Sequence, residues 1–237
     1  MIAQFYYKGE LKAGAEILLD EDTAKHVLQV LRMQVGERIQ LTNGEGHAGI
    51  CLITKAEKKK CSIVIEKVDF HKQRAILLHL GVAFTKNTSR NEWLLEKATE
   101  LGVSSIIPLM TERTERDRMR YERWNSILIS ALLQSQQYYL PQLHQAMPLT
   151  AVLNKYNNIP QKLLGHCIES YERQPISKML KPGLETLILI GPEGDFTKEE
   201  VNLCTTNGYS GISMGTQRLR TETAAIAACA YFSLVNV

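Results

Sequence analysis

Residues 187–201 read LILIGPEGDFTKEEV: an aliphatic run passes without a linker into Gly-Pro-Glu-Gly, and a helix start follows at once. The run is the pattern of a buried strand, and Thr197 with Glu200 has the spacing of a capping box. A strand, a glycine loop and a helix in this order belong to an α/β fold whose sheet is mostly parallel and covered on both faces. Open α/β sheets bind ligands at the carboxyl ends of their strands. Glycine there lets a ligand approach the backbone, and Pro192 stiffens the loop. A solvated strand-to-helix turn, with Glu193 an ordinary surface residue, accounts for this loop taken alone equally well.

The rest of the chain supports that class from about residue 72 onward. AILLHLGVAF reads as a buried strand, and SRNEWLLEKATELG as a helix with Ser89 and Glu92 as a capping box and Gly102 as its stop. VSSIIPLM is a strand, and YERWNSILISALLQSQQYY is a long amphipathic helix halted by Pro141. QKLLGHCIE, ETLILI and SGISMG are further strands, TKEEVNLCTTNG a helix, and TETAAIAACAYFSLV a closing alanine-rich helix. Before residue 72 the rhythm is β-rich. ERIQLTN, GICLITKAE and CSIVIEKVDF read as strands, interrupted by one helical segment, DEDTAKHVLQVLRM, with Val27, Val30 and Leu31 on one face. The expected division is a small β-barrel-like domain over residues 1–71 and a larger α/β domain over 72–237.

The 237 residues are 44% apolar, ample for a globular core, and no apolar run approaches the length of a membrane span. The N-terminal residues lack the charged-then-apolar pattern of an export signal. Five cysteines, an odd number with no C-x-x-C, argue against a disulfide framework or zinc site and fit a reducing cytoplasm. The six histidines show no ligand spacing, so no metal is expected. A net charge of +3 permits an RNA partner without requiring one.

A G-x-G-x-x-G occurs at Gly44, Gly46 and Gly49, but a strand follows it where a dinucleotide fingerprint needs a helix. Asn43-Gly44 is a hairpin signal, and the hairpin reading is preferred. A second glycine loop is more informative. SMGTQRLRTETAAIAA ends a short strand at Gly215 and presents Arg218, Arg220 and Glu222 before the last helix, with Thr221 or Thr223 as its cap. Ala224, Ala225, Ala227 and Ala228 would let that helix pack closely on another backbone.

LILIGPEGDFTKEE together with MGTQRLRTETAAIAA closely resembles the knotted SPOUT-class RNA methyltransferases, specifically the bacterial 16S rRNA uridine-N3 methyltransferases. The likeness covers the whole chain. HVLQVLRMQVGERIQLTNGEG resembles that family's N-terminal PUA-like RNA-binding domain, and KNTSRNEWLLEKATELGVSSIIPLMTERTE and QSQQYYLPQL resemble its middle motifs. Three positions depart from the pattern: Asp195 stands where many members have a second glycine, and Gln217 and Gln137 stand where arginine is common.

The resemblance implies a C-terminal trefoil knot whose loops hold S-adenosylmethionine as methyl donor, with no metal. One wall would be Ile190, Gly191, Pro192, Glu193 and Gly194; a second Met214, Gly215, Leu219, Arg220 and Thr223; a third the loop carrying Cys167 and Glu169. It further implies a cytoplasmic homodimer acting on 16S rRNA in the small ribosomal subunit, with no membrane partner. The product would be 3-methyluridine. Arg220, then Arg113 and Arg218, are the candidates for stabilising the uracil imide anion, because arginine is permanently charged and carries a rigid donor fork. Arg32, Lys86, Arg113 and Arg116 are candidate RNA contacts. Arg118, Arg120 and Arg123 alternate with acids and read equally as a solvated, self-paired helix end. A SPOUT-fold RNA-binding protein with a decayed pocket, or a methyltransferase of another RNA, are the competing readings.

Overall fold

The computed structural model describes residues 2–115 and 119–236. The chain forms two compact units: residues through Gln73 together with Leu132–Leu140, and Arg74–Ala131 together with residues from Pro141 onward.

The first unit is built on β1 (Gln4–Tyr6), β2 (Glu16–Leu18), α1 (Glu21–Lys25), β3 (Arg38–Thr42), β4 (His47–Glu57) and β5 (Lys60–Phe70). Its five strands lie in the order β1-β3-β4-β5-β2, with β1 parallel to β3 and the other pairs antiparallel. Alternate residues of β5 (Cys61, Ile63, Ile65) and of β3 and β4 (Ile39, Leu41, Cys51, Ile53) share one core with Phe5 and Ile17, as period-two patterning requires. The glycine motif lies in the β3–β4 hairpin, where Thr42 faces Ala48.

The expected helix face through Val27, Val30 and Leu31 does not form. After Lys25 the chain winds into a π-helical turn, His26–Val30, with Leu31 N–H donating to the His26 carbonyl at 2.9 Å. The wider turn shifts the helical register. Val27 is therefore fully buried while Val30 and Leu31 are 64% and 42% exposed. Arg32 follows at φ 56°, a left-handed residue on the surface of this unit.

Leu132–Leu140, the QSQQYY region, closes onto this same unit. Tyr138 stacks on His71 with ring centroids 3.6 Å apart, and Tyr139 Oη donates to the His71 carbonyl at 2.8 Å. Gly46 N–H donates to the Tyr138 carbonyl and Leu140 N–H to the Gly44 carbonyl, both at 2.8 Å.

The second unit contains β6 (Leu78–Val82), α2 (Thr88–Glu100), β7 (Ser105–Met110), α3 (Tyr121–Gln134), whose last turn enters the first unit, β8 (Gln142–Leu143), β9 (Met147–Pro148), α4 (Leu149–Lys155) and β10 (Gln161–Gly165). It continues through β11 (Gln174–Pro175), α5 (Ile176–Met179), β12 (Thr186–Ile190), α6 (Lys198–Thr206), β13 (Ser210–Ser213) and α7 (Thr221–Val235). Every strand pair is parallel, in the order β11-β13-β10-β12-β6-β7-β8, with β9 beside the end of β7. All five residues of β12 are buried, as befits a central strand covered on both faces. Leu187 and Leu189 face a core shared with α4 and α6, while α7 packs on α2, β6 and β12. After β12 the chain therefore passes β10 to reach β13, beside the edge strand β11, then returns to the centre as α7.

Three helix ends differ from the expectation. Asn87, not Ser89, caps α2: in extended geometry its Oδ1 accepts from Arg90 N–H, and Glu92 is drawn instead to Arg123. Helix α3 stops at Gln134, seven residues before Pro141, because Gln136 turns left-handed (φ 54°) and Gln137 N–H closes onto the Leu132 carbonyl. Helix α7 has Arg220 at its cap position with no side-chain cap, and Thr221 is its first helical residue. The Thr197–Glu200 capping box of α6 is present, with both reciprocal bonds, and Gly102 ends α2 at φ 79°. The strands of two or three residues (β1, β2, β8, β9, β11) and the one-turn helix α5 carry too few residues for a periodic signal.

Candidate active site

A cavity of roughly 290 Å³ opens at the carboxyl ends of β10, β12 and β13. Three segments wall it: residues 165–167 with Arg173, residues 190–195 without Gly194, and residues 212–221 without Thr216, with Ala224 below. Adjacent parallel strands end at one level, so the loops that leave them converge. Ile190, Ile212, Met214 and Leu219 supply apolar surface, and Arg173, Glu193, Asp195, Arg218 and Arg220 the charge.

Of the residues expected in the walls, Cys167, Ile190, Gly191, Pro192, Glu193, Met214, Gly215, Leu219 and Arg220 line this cavity. Glu169, Gly194 and Thr223 are not among its lining residues. All three are exposed; Thr223 follows Glu222 on α7, and it is Thr221 and Ala224 that face inward. Gly165, His166, Arg173, Asp195, Ile212, Ser213, Thr221 and Ala224 line the cavity in addition, and Gln217 lines it within the expected Gly215–Arg220 wall. The signal for His166 and Asp195 was their adjacency to the two glycine-bearing strand ends.

Arg220 and Arg218 are exposed at the cavity. Arg113, from the segment after β7, reaches across to the loop that follows β12: its Nη1 donates to the Gly194 carbonyl at 2.6 Å and the Phe196 carbonyl at 3.5 Å. Lys86 is exposed and paired with Glu115 at 2.8 Å. Arg32 lies in the other unit, and Arg116, with Arg118, falls outside the described residues. Arg123 is engaged by two hydrogen bonds, but to Glu92 of α2 and not to an acid of its own stretch.

The two glycines work differently. A Cβ on Gly191 would stand 3.0 Å from the ring of Phe196, which is fully buried, so glycine is needed there for packing inside the protein. Gly215 has φ 110° and nothing within 4 Å of where a Cβ would stand. Glycine is needed there for backbone conformation, and the space beside it is open to a ligand.

His166 is buried, and that burial chiefly pushes its pKa below 6.5; Asp195 opposes this and Arg173 adds to it. It is therefore neutral at pH 7, with Nδ1 accepting from Ile168 N–H at 3.3 Å. Burial drives the thiols of Cys204 and Cys229 up to about 12, so neither is a nucleophile. Among the described residues no group of three or more His, Cys, Asp or Glu side chains could hold a metal ion, and no helix is long and apolar enough to cross a membrane.

Parallel strands ending in a glycine-walled cavity define a class of ligand-binding α/β domain, and comparison with known proteins makes it specific. The family described as RNA methyltransferase domain matches residues 72–233, and that described as RNA methyltransferase PUA domain matches residues 19–66. This chain belongs to that RNA methyltransferase family, with a PUA-like N-terminal domain and a C-terminal domain of the SPOUT methyltransferase fold. Ribosomal RNA small subunit methyltransferase E of Rickettsia conorii is 30% identical over 98% of this chain and 96% of its own length. A crystal structure described as a "probable rRNA-methyltransferase" from Porphyromonas gingivalis superposes with a TM-score of 0.91 at 33% identity, covering 99% and 98% of the two chains. Ribosomal RNA small subunit methyltransferase E of Neisseria gonorrhoeae, solved bound to S-adenosyl methionine, gives 0.86 at 27% identity over 100% and 98%.

Proposed function

We propose that this protein methylates N3 of a uridine in 16S rRNA of the small ribosomal subunit, giving 3-methyluridine, with S-adenosylmethionine as methyl donor. The observation that carries the reading is the cavity at β10, β12 and β13, since a decayed pocket would not keep three convergent walls. Its chemistry suits the donor. Apolar side chains and exposed backbone fit an adenosine, and charged groups at the margin fit a methionine ammonium and carboxylate. When bound, the donor supplies an electrophilic sulfonium methyl.

What the protein must add is alignment, worth several powers of ten in rate, and stabilisation of the negative charge that appears on uracil as N3 loses its proton. Arg220, with Arg218 beside it, is assigned to that charge through O2 or O4. Arg113 has its guanidinium engaged on Gly194 and Phe196, so its first task is to hold the loop after β12. Glu193 is exposed at the rim of the cavity, and Thr223 is exposed outside its lining.

Residues 1–71 are assigned to RNA docking and 72–237 to methyl transfer. Arg32, Lys86 and Arg116 are assigned to phosphate contacts, which position an RNA without reading its sequence. A cytoplasmic homodimer is part of the same reading. Ala224, Ala225 and Ala228 are buried within the protomer. Trp93 of α2 and Leu234 of α7, 44% and 74% exposed, are therefore the better support for a partner on that helical layer. Mass spectrometry of small-subunit rRNA from a deletion strain, with and without the gene restored, tests the assignment. Methylation at C5 or at the ribose 2′-oxygen would sink it, because neither product arises from the imide anion.

A further inference from the structure

Asp195 and Gln217 are the departures from the family pattern that line the cavity, and the geometry of Asp195 gives it a task. Its backbone is left-handed, φ 62°, a conformation glycine adopts freely and aspartate tolerates better than most side chains. The carboxylate accepts from two backbone donors. Oδ1 takes the Phe196 N–H at 2.8 Å, within its own loop, and Oδ2 takes the Cys167 N–H at 2.7 Å, in the loop leaving β10. Two walls of the cavity are thereby tied to each other through one side chain. Both ends are braced. Arg113 holds the carbonyls on either side of Asp195, those of Gly194 and Phe196, and Arg173 Nη1 donates to the His166 carbonyl at 3.0 Å.

We propose that Asp195 is a positioning residue that fastens the loop at Cys167 to the loop at Gly191 and so presets the width of the methyl-donor pocket. A glycine at 195 would allow the same backbone but leave Cys167 N–H without its carboxylate. The bond is charge-assisted and spans two loops that no strand pairing joins beyond Gly165 and Ile190. Pre-ordering the wall removes a cost that would otherwise be met on binding. The ligand half of this inference rests on the proposed methyl-donor reading; the latch itself does not.

The test separates the two. Asp195→Gly keeps the left-handed backbone and removes the carboxylate, so the protein should stay folded, with relief of the backbone offsetting part of the lost bonding. Amide hydrogen exchange at residues 166–168 of the ligand-free protein should nonetheless quicken at least tenfold. The Kd for S-adenosylmethionine by titration calorimetry should rise about tenfold, the scale of one hydrogen bond to a charged group. The loss should fall on KM for the donor far more than on kcat. Asp195→Asn, which keeps one acceptor oxygen and tolerates the same backbone, should lie between the two. Unchanged exchange in Asp195→Gly would overturn the latch, and so would an unchanged Kd in a protein whose wild type binds the donor. A wild type that does not bind the donor would refute the methyl-donor reading, and the exchange result would still decide the latch.

Discussion

Thr221 Oγ1 donates a buried hydrogen bond to the Gly191 carbonyl at 3.0 Å, joining the first residue of α7 to the residue that follows β12, thirty positions earlier. The hydroxyl thus serves the loop across from it instead of capping its own helix, and the two glycine loops of the cavity are held at a fixed separation. Thr221→Val, close in shape, leaves that buried carbonyl without this donor and should lower stability by about 1–3 kcal/mol in chemical denaturation. Donor affinity should fall with it, and Thr221→Ser should restore both.

Gly191→Val and Gly215→Val should fail for different reasons. The first places a Cβ 3.0 Å from the buried ring of Phe196, so its melting temperature should drop along with donor binding. The second meets no atom but demands φ 110° of a β-branched residue, at a cost on the order of 1–3 kcal/mol confined to the loop. Calorimetry should show lost affinity with the global unfolding transition little moved.

Arg220→Ala should lower kcat by about a hundredfold, the usual consequence of removing one donor from a developing anion, with RNA affinity nearly unchanged. Arg113→Ala should chiefly raise KM for the donor, since its guanidinium holds the Gly194 carbonyl. Single-turnover rates at saturating and limiting donor separate the two outcomes. Equal losses of rate and RNA affinity would reassign either arginine to docking.

Stability should decline as pH falls below about 6.5. His166 and His144 both have pKa values pushed below 6.5, in each case chiefly by burial, with Lys155 and His79 adding to the effect at His144. Their unfolded forms take up protons first, so the stabilisation is complete above 6.5 and is lost as pH drops through the folded values. The lowered carboxylates, Asp20, Glu66, Glu92 and Glu199, act only from below their ordinary values of 3.8 and 4.5. Denaturation midpoints between pH 7.5 and 5.5 should fall, and His144→Gln with His166→Gln should flatten that slope.

Tyr139→Phe should cost the N-terminal unit about 1 kcal/mol through loss of the bond to the His71 carbonyl. A fragment ending at Gln73 lacks the whole 132–140 segment that belongs to that unit. Its denaturation midpoint should lie below that of the same unit in the full chain, and equal midpoints would show that the segment contributes nothing.

Strand β12, the capped helix α6 and the glycine loop between them were legible in fifteen residues, because a doubly buried strand and a capping box are local patterns. So were β3, β4 and β5, whose alternation states which face is buried, and the hairpin that disqualified Gly44, Gly46 and Gly49 as a nucleotide loop. What the chain order could not state is which distant atoms complete a local group. Asn87 rather than Ser89 caps α2 because the loop geometry, not the spacing, decides which oxygen reaches Arg90 N–H. Val30 turns outward because a π-turn alters the period after Lys25. The QSQQYY region leaves its helix because Gln136 turns left-handed and Tyr138 and Tyr139 find His71, far back in the sequence. The cavity follows the same division. Sequence alone supplied the glycines and arginines on loops that end parallel strands. Only the folded chain, by bringing residues 113, 167, 195 and 221 to those loops, decided that Asp195 and Thr221 would join its walls, because such bonds depend on separations in space that no local pattern encodes.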